Sequence, residues 1–531
     1  MCLKSKNPTK TNSWNKLNSH FSEMRDIHIN DMFKDDIKRG GELSIKWQDF
    51  YFDFSKNKID YETIKLFNDF LIEIDLKSSI ENFFEGKKIN STESRAVLHT
   101  ALRASKNQKI LVDKKDIITE ITAVKEKMKS FSVSLLSGNH KGFKGDKITD
   151  IVNIGIGGSD LGPSMVVESL SHYKTDLNIH FISNVDGDHM NEVLCKVNPE
   201  TTVFIIVSKT FTTIETLTNA NSVRSWFLKS AGENDITKHF VAVSSNIEKA
   251  MEFGISSENI FPMWDWVGGR FSLWSSVGLS ICLSIGYEKF EELLLGAREA
   301  DEHFRNSDFS KNIPVIMACL SMWYNNFFNY QSHAIIPYSE NLKSFSKYLQ
   351  QASMESNGKQ TDRSDNLIDY ETGQIIWGQT GTNAQHSFFQ LLHQGSKVIP
   401  SDFIGFKNSV KGNQDHHNIL MANFFAQTKA LMKGTTDEVV TTNHKLFKGD
   451  RPTNSILINK LTPASLGSLI AIYEHKIFTL GVIWNILSFD QYGVELGKKL
   501  AKNILKNIEN QDFSEHDSST KNLLKRYSST D

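Results

Sequence analysis

Short runs of β-branched and apolar residues alternate with longer helical patterns from about residue 150 onward. Such alternation is typical of parallel strands joined by crossover helices. The runs fall into two blocks. In the first block, each run is bounded by Gly, Asn, Asp or Ser residues. The first block covers 151–156, 179–183, 202–208 and 240–244, and the second covers 334–337, 374–377, 398–406 and 454–458. We therefore predict two α/β domains with mainly parallel sheets.

Helical patterns fill most of the remaining chain. The region up to about residue 115 reads as mostly helical, and residues 92–103 carry apolar positions at helical spacing behind an N-cap candidate. Two further helices are predicted over 415–432, with Asp415 as the N-cap, and over 463–487. The last stretch, 496–531, is polar and helix-forming. We interpret it as an arm that lies across a partner domain or subunit.

The uncharged run 271–287 is a candidate for a membrane span. It contains five serines and two glycines, and it is shorter than the roughly 20 apolar residues that a bilayer requires. We therefore predict a buried core helix and no membrane partner.

Length, net charge and cysteine content narrow the class of protein. At 531 residues the chain is too long for one ordinary core, which favours two domains. Lys and Arg number 60 against 62 Asp and Glu, so a net charge of −2 gives no global attraction to nucleic acid. Four scattered cysteines exclude a disulfide scaffold and a CxxC zinc site, and residues 1–21 lack the apolar stretch of a secretory signal. We expect a cytoplasmic protein.

Two polar loops follow buried strands of the first block. Residues 155–159 are Gly-Ile-Gly-Gly-Ser, and such a turn exposes backbone N–H groups at the start of the next helix, a geometry that binds anions. Residues 208–213 supply hydroxyls, N–H groups and one cation where ligands of parallel sheets bind. Each loop alone is more often a tight turn and a helix cap. Together they predict one phosphate site, formed by Ser159, Ser208, Thr210 and Thr213.

The familiar nucleotide motifs do not match these loops. A dinucleotide fingerprint that begins at Gly155 requires its third glycine at the position of Asp160. The sequence from Ser208 to Thr210 lacks the preceding glycines of a Walker loop. We therefore expect a phosphorylated small molecule, and neither a dinucleotide nor ATP is implied.

Arg270 and Glu355 are candidates for the chemistry. Arg270 follows two glycines, so its backbone can approach a ligand closely and its planar fork can contact an oxyanion. The alternative is a structural pair with Asp265, which spacing alone slightly favours. Glu355 lies beside Met354 in a segment of low charge, where a carboxylate suits a general base with a raised pKa. Most glutamates are simply exposed, so composition alone leaves both interpretations of Glu355 open.

A predicted helix that opens at 381–386 carries further candidates. It places Gln390 and His393 at i+4 and i+7 from His386, which puts the three side chains on one face. One of them is a candidate for catalysis, and for His393 we favour a local hydrogen bond.

Lys498 and a histidine cluster have two interpretations each. Lys498 either pairs with Glu495 at i+3 on a solvated face or reaches the pocket with its ammonium group. The dense His cluster at 415–417 has adjacent side chains about 100° apart on a helix, so it forms no ready chelate. We predict no metal.

Six motifs in order resemble the glucose-6-phosphate isomerase (phosphoglucose isomerase) family. The resemblance runs from residue 90 to residue 520, which is nearly the whole chain, and several long motifs in a fixed order are very specific. The motifs are 155–162, 208–216, 265–278, 350–359, 381–395 and 481–498.

The resemblance implies a particular α/β architecture. It consists of two sugar-isomerase (SIS) domains, each a three-layer α/β/α fold with a mainly parallel sheet, plus a helical N-terminal region and a C-terminal arm. Residues 1–117 would be the helical N-terminal part of the large domain and 118–284 the first, smaller SIS domain. Residues 285–497 would form the second, larger SIS domain and 498–531 the helical arm.

The resemblance also implies roles for site residues. Glu355 would be the base that moves a proton between C2 and C1 of the sugar through an enediolate, and Arg270 would stabilise the charge of that intermediate. His386 and Lys498 would assist opening and closing of the sugar ring. The phosphate would be held by Ser159, Ser208, Lys209, Thr210 and Thr213, with Gly158, Gln351, Gly269 and Gln491 completing the pocket.

The implied reaction is the reversible interconversion of glucose 6-phosphate and fructose 6-phosphate without a metal or organic cofactor. The family also implies a homodimer in which His386 reaches the active site of the neighbouring subunit. Two alternatives stay open: a relative that acts also on mannose 6-phosphate, and a silent sugar-phosphate sensor or extracellular signalling protein. A base such as Glu355 argues against a silent sensor, because binding alone requires no base beside C2.

Overall fold

A computed structural model describes residues 3–435 and 442–529 of the chain. The chain divides into two units, Met1–Ser488 and Phe489–Asp531. The domain boundaries expected at 117, 284 and 497 stay predictions.

The elements are numbered in chain order. The strands are β1 (Ser44–Trp47), β2 (Phe50–Asp53), β3 (Leu111–Val112), β4 (Lys115–Asp116), β5 (Asp150–Ile154), β6 (Asn178–Ile182), β7 (Thr202–Val207), β8 (Phe240–Ser244), β9 (Ile260–Pro262), β10 (Ser332–Pro337), β11 (Ile375–Trp377), β12 (Ser401–Asn408) and β13 (Thr453–Lys460). The helices up to the first sheet's end are α1 (Asn12–Met24), α2 (Ile29–Asp35), α3 (Arg39–Glu42), α4 (Tyr61–Glu73), α5 (Leu76–Phe84), α6 (Ile117–Leu136), α7 (Leu161–Ser169), α8 (Gly187–Leu194), α9 (Ile214–Phe227), α10 (Ile236–His239) and α11 (Ile247–Glu252). The later helices are α12 (Leu279–Ile285), α13 (Tyr287–Asn306), α14 (Ile313–Met322), α15 (Phe345–Leu349), α16 (Gly381–Gln385), α17 (Phe389–Gln394), α18 (Gln414–Lys433), α19 (Pro463–Ile483), α20 (Glu495–Asn510) and α21 (Ser518–Ser528).

The first large sheet has five parallel strands in the order β6-β5-β7-β8-β9. Its central strands β5 and β7 are buried along their whole length, as expected for a parallel sheet that helices cover on both faces. The four predicted strands of this block are confirmed. The fifth strand, β9, is only three residues long, too short a run for the sequence pattern to reveal.

The second large sheet has six strands in the order β1-β2-β13-β12-β10-β11. The four strands β10 to β13 are parallel, as predicted, whereas β2 pairs antiparallel with β13. The hairpin of β1 and β2 comes from the region read as mostly helical, and that reading is wrong there. Its turn contains Gln48 at φ 46°, and its strands are four residues each, so the period-2 pattern is short.

Apolar helices form the interior of the first unit. Within the described residues, α19 is the one helix long and apolar enough to cross a membrane by length and composition, and its apolar window is wholly buried. All residues of α12 are buried as well. The run 271–287 therefore contains a core helix, as predicted, but a shorter one than the run itself.

The helix predicted over 92–103 is wrong. The structure has only a 3₁₀ turn at His99–Arg103. Upstream, Asn90 and Arg95 form an isolated antiparallel bridge, and Ser94 has φ 55°, which a helix does not allow.

Two further helix predictions require correction. The N-cap of α18 is Asn413, whose Oδ1 accepts the N–H of Asp415 at 2.7 Å, so Asp415 lies in the first turn instead. The helix predicted from 381 onward is broken between Gln385 and Phe389, so His386 does not share a helix face with the residues of α17. His393, on α17, does make the local hydrogen bond that we favoured, with its Nε2 2.8 Å from Gln427 Oε1.

The second unit is helical, in agreement with the helix-forming pattern of 496–531, and the role of this stretch as an arm stays a prediction. It contains α20 and α21, and no residue of α20 is buried.

Candidate active site

The first glycine-rich loop joins β5 to α7. Gly157 has φ 61°, which favours glycine, and a Cβ on Gly158 would clash with the carbonyl oxygen of Gly269. The Nδ2 of Asn153 donates to the carbonyl of Ser159 at 3.1 Å, which fixes the end of the loop. The glycines therefore bring this loop into direct contact with the segment that precedes Arg270.

The second polar loop joins β7 to α9. Ser208 is buried and donates its hydroxyl hydrogen to Thr213 Oγ1 at 3.3 Å, whereas Thr210 is exposed and lies 2.6 Å from Thr212 Oγ1. Phe211 is 3% exposed and has φ 51°, so it anchors the loop in the core. Because β5 and β7 are neighbouring parallel strands, both polar loops lie at the same edge of the sheet.

Lys209 fastens the second loop to the segment after β9. Its Nζ donates to the carbonyl oxygens of Asp265 at 3.2 Å and Val267 at 3.1 Å. Burial lowers the pKa of the Lys209 ammonium, and the nearby carboxylate of Asp265, at 3.6 Å, opposes that shift. The cation predicted to hold a phosphate is therefore also a link between two of the segments that form the site.

Arg270 is buried, with 3% of its surface exposed. Its Nε donates to Ser356 Oγ at 2.7 Å, and its Nη2 donates to the carbonyl of Ser488 at 2.6 Å. Its Nη1 lies 3.8 Å from Glu355 Oε2. The structural pair with Asp265 that spacing slightly favoured is not found, because the carboxylate of Asp265 pairs with Lys209.

Glu355 ends a π-helical turn, Gln350–Glu355, that follows α15. The side chain of Glu355 is one-fifth exposed, and its buried Oε2 has no hydrogen-bond partner among the described residues. Within the same turn, Gln351 places its Nε2 3.1 Å from where a Cβ on Gly157 would lie. The π-helical turn therefore carries the candidate base to Arg270 and the amide of Gln351 to the glycine-rich loop.

Two residues that support Arg270 and Glu355 were not predicted from the sequence. Ser356 follows Glu355 directly, and Asn357 accepts a hydrogen bond from Ser488 Oγ at 2.7 Å and donates to the carbonyl of Ile477 at 3.1 Å. The only signal for them was their place beside a candidate base in a Ser-Asn-Gly sequence.

The geometry of three predicted site residues leaves their roles as predictions. His386 is exposed, and its ring makes no hydrogen bond or ion pair within the part of the chain that the structure describes. Gln491 and Lys498 belong to the second unit, where Lys498 Nζ lies 3.0 Å from Glu495 Oε1. The i+3 pair is thus present, and the catalytic roles of His386, Gln491 and Lys498 stay predictions.

Metal-ligating side chains are dispersed. Over residues 3–435 and 442–529, no group of three or more His, Cys, Asp or Glu side chains is arranged to hold a metal ion. In the cluster at 415–417, His417 instead lies with Nε2 3.2 Å from the carbonyl of Lys407.

Fold and site together define an α/β protein of the sugar-isomerase type, with polar loops at the edge of a parallel sheet beside a carboxylate and a buried guanidinium. The family model described as phosphoglucose isomerase matches residues 53–524. The chain therefore belongs to the phosphoglucose isomerase family.

Individual relatives agree with this assignment. The chain is 56% identical to glucose-6-phosphate isomerase from Christiangramia forsetii over 543 aligned residues, which cover 99% of this chain and 100% of that protein. The solved structure of a glucose-6-phosphate isomerase from Chlamydia trachomatis superposes with a TM-score of 0.88 at 32% identity, covering 98% of this chain and 99% of that one. A hypothetical protein from Thermus thermophilus shares the fold, with a TM-score of 0.65 at 21% identity over 84% of this chain and 96% of its own.

Proposed function

We propose that the chain is an aldose–ketose isomerase that interconverts glucose 6-phosphate and fructose 6-phosphate. The observation that carries the proposal is the pairing of the half-buried Glu355 with the buried Arg270 at 3.8 Å, beside two polar loops. The 56% identity to a glucose-6-phosphate isomerase over the whole chain supports this choice of substrate.

The polar loops bind the phosphate. Ser159 on the first loop, together with Ser208, Thr210 and Thr213 on the second, offers hydroxyl groups at one edge of the sheet. The backbone N–H groups of Ser159 and Ser208 already donate to the carbonyls of Ile156 and Val243, so backbone donors come from the other residues of the loops. Such neutral donors, at the start of the nine-residue helix α7 and the 14-residue helix α9, suit a dianion without an excess of cations. This explains how a chain with a net charge of −2 binds a phosphate ester.

The carboxylate of Glu355 transfers the proton. It removes the proton from C2 of the open-chain aldose and returns it to C1, while a hydroxyl proton moves from O2 to O1. Atoms and electrons balance without an oxidant or reductant, so the reaction requires no redox cofactor. The Oε2 of Glu355 is suited to this role because no described hydrogen-bond donor occupies it.

The guanidinium of Arg270 stabilises the enediolate. Its hydrogen bonds to Ser356 and to the carbonyl of Ser488 hold it in place before the substrate binds. A preorganised cation in a buried site stabilises developing negative charge more strongly than a solvated one.

Ring opening and closing require a proton donor and acceptor at the ring oxygen and at O1. We assign these roles to His386 and Lys498, as the family resemblance implies. The exposure of His386 is compatible with its reaching the active site of a neighbouring subunit in a homodimer. We place the enzyme in the cytoplasm, where its phosphorylated substrates are formed.

A coupled assay tests the proposal. Purified full-length chain is supplied with fructose 6-phosphate, and glucose 6-phosphate is detected by a dehydrogenase that reduces NADP⁺. We expect rapid formation of glucose 6-phosphate and the reverse reaction from glucose 6-phosphate. A parallel assay with mannose 6-phosphate measures epimerisation at C2, which the same enediolate permits. Absence of product from fructose 6-phosphate at micromolar enzyme contradicts the proposal.

A further inference from the structure

A small cavity lies in the first unit behind the π-helical turn that ends at Glu355. Its volume is about 10 Å³, which is room for a single water molecule. Most of its wall is apolar, with four polar residues among them. The lining residues include Ile376, Ile477 and Trp484 on the apolar side and Ser353, Gln374, Tyr473 and Lys476 on the polar side.

Lys476 brings an ammonium group to this cavity from the core helix α19. Its side chain is only 6% exposed. Its Nζ forms an ion pair with Asp402, whose Oδ2 lies 3.8 Å away, beyond the distance of an ordinary hydrogen bond. An ammonium group carries three N–H donors, so this single ion pair leaves donors for the cavity. A buried donor without an acceptor is costly, which favours a further partner for Nζ.

The carboxylate of Asp402 is already occupied by other donors. Asn454 donates to Oδ1 at 2.7 Å, and the hydroxyl of Tyr473 donates to Oδ2 at 2.9 Å. His333 Nε2 lies 3.0 Å from the same Oδ2. A shift of Lys476 toward Asp402 would therefore crowd an oxygen that two groups already share.

Ser353 supplies a second polar group to the lining of the cavity. It lies within the π-helical turn Gln350–Glu355, two residues before Glu355. Its hydroxyl has no hydrogen-bond partner in the described portion of the chain. Gln374 also lines the cavity, and its Nε2 donates to the carbonyl of Tyr330 at 3.1 Å, so its Oε1 is left as the acceptor for a further bond.

We propose that this cavity binds one ordered water molecule, which accepts a hydrogen bond from Lys476 and bonds to Ser353, and so ties α19 to the turn that presents Glu355. A buried water requires two to four polar partners, which Lys476, Ser353 and Gln374 provide. Lys476 is then a positioning residue for the base. The structural part of the inference stands alone, and the positioning part rests on the proposed function of Glu355.

A crystal structure of the full chain at better than about 1.8 Å tests the water site directly. We expect one density peak within hydrogen-bond distance of Lys476 Nζ and Ser353 Oγ in the wild-type protein, and its loss in Lys476→Met. As a control, Ser321→Ala removes a buried hydroxyl without a partner on α14, outside the cavity, and leaves the peak unchanged. A cavity without density overturns the proposal. An anomalous signal from bromide-grown crystals at this position overturns the assignment to water.

Kinetics test the positioning role. Ser353→Ala and Lys476→Met each lower kcat roughly 2- to 12-fold, the range for one lost hydrogen bond, with KM for fructose 6-phosphate within twofold of wild type. Because both residues bind the same water, the kcat of the double variant is no lower than that of the less active single variant. If the fold-losses in kcat of the two single variants multiply in the double variant, the positioning role is overturned.

The two proposals fail in distinguishable ways. An inactive chain with the density peak present contradicts the proposed function and leaves the water site intact. If Lys476→Met does not fold, the electron density of the wild-type protein still tests the water site, and the kcat of Ser353→Ala still tests the positioning role.

Discussion

Arg270 donates its Nε hydrogen to the hydroxyl of Ser356 at 2.7 Å, and both side chains are buried. The residue next to the proposed base thus holds the cation that is proposed to stabilise the intermediate. Because Ser356 is fixed to Glu355 by the backbone, any displacement of the base also displaces the acceptor of Arg270. Base and cation are therefore positioned by the same turn.

Ser356→Ala is expected to lower kcat roughly 10- to 100-fold, the range for one hydrogen bond to a charged group. KM should change little, because the phosphate loops are untouched. Steady-state kinetics with fructose 6-phosphate measure both constants. Ser280→Ala, which removes a buried hydroxyl from α12, is the control and should keep wild-type kcat. A wild-type kcat for Ser356→Ala would show that the other contacts of Arg270 hold the guanidinium without Ser356.

Glu355→Gln is expected to lose at least about 100-fold in kcat, because an amide cannot accept the C2 proton. Binding of fructose 6-phosphate should persist, as measured by calorimetry with the inactive variant. The exposed Glu371 provides a matched control, and Glu371→Gln should behave as wild type. Turnover retained by Glu355→Gln would refute the assignment of the base.

Thr210→Ala is expected to raise KM for fructose 6-phosphate and to weaken competitive inhibition by inorganic phosphate in parallel. Thr210 is exposed on the second loop, so the fold should be unaffected. A group that binds ground state and transition state alike changes KM more than kcat. Thr237→Ala, at another exposed threonine, is the control. Unchanged inhibition by phosphate would remove Thr210 from the site.

Gly158→Ala is expected to lower the free energy of unfolding by about 1–3 kcal/mol, because the new methyl group meets the backbone of Gly269. It should also raise KM, since the loop must move away from the Arg270 segment. Gly187→Ala, where a Cβ meets no atom within 4 Å, should be neutral in both assays. Thermal unfolding and initial rates measure the two effects.

The buried imidazole of His303 should make the free energy of unfolding decrease at acidic pH. Burial lowers the pKa of its imidazole to about 4, and its Nε2 accepts the N–H of Ile313 at 3.1 Å, which requires the neutral ring. The unfolded chain binds a proton near pH 6.5, so stability is full above that pH and falls as pH drops toward 4. The loss is about 3 kcal/mol.

The urea midpoint as a function of pH measures this effect. His303→Gln should flatten the decline between pH 6.5 and 4, whereas His172→Gln, at an exposed histidine, should leave it unchanged. An unchanged slope in His303→Gln would assign the decrease at acidic pH to another group.

Much of the first sheet and its loops was predictable because the signals are local. The β-branched run of β7 is bounded by Ser208, and the run of β5 ends at glycines, so strand and loop can be recognised within ten residues. Parallel topology then brings both loops to one edge without further information.

The contacts that position the chemistry were not predictable from sequence pattern. Arg270 donates to the carbonyl of Ser488, which is 218 residues away, and periodicity carries no information about such a contact. The π-helical turn before Glu355 and the break between α16 and α17 at His386 are likewise set by packing, against a sequence that favours ordinary helix. Where Gln491 and Lys498 act was inferred only from the family resemblance.

The N-terminal hairpin has a consequence for biosynthesis. β2 completes the second sheet by pairing with β13, a partner about 400 residues later in the chain, which is a contact of very high sequence separation. At typical rates of translation, β13 leaves the ribosome on the order of 20–80 s after β2. During that interval the nascent hairpin, with Phe50 and Phe52 destined for the core, has an open edge. The early part of this chain is therefore where a ribosome-associated chaperone has the longest time to bind.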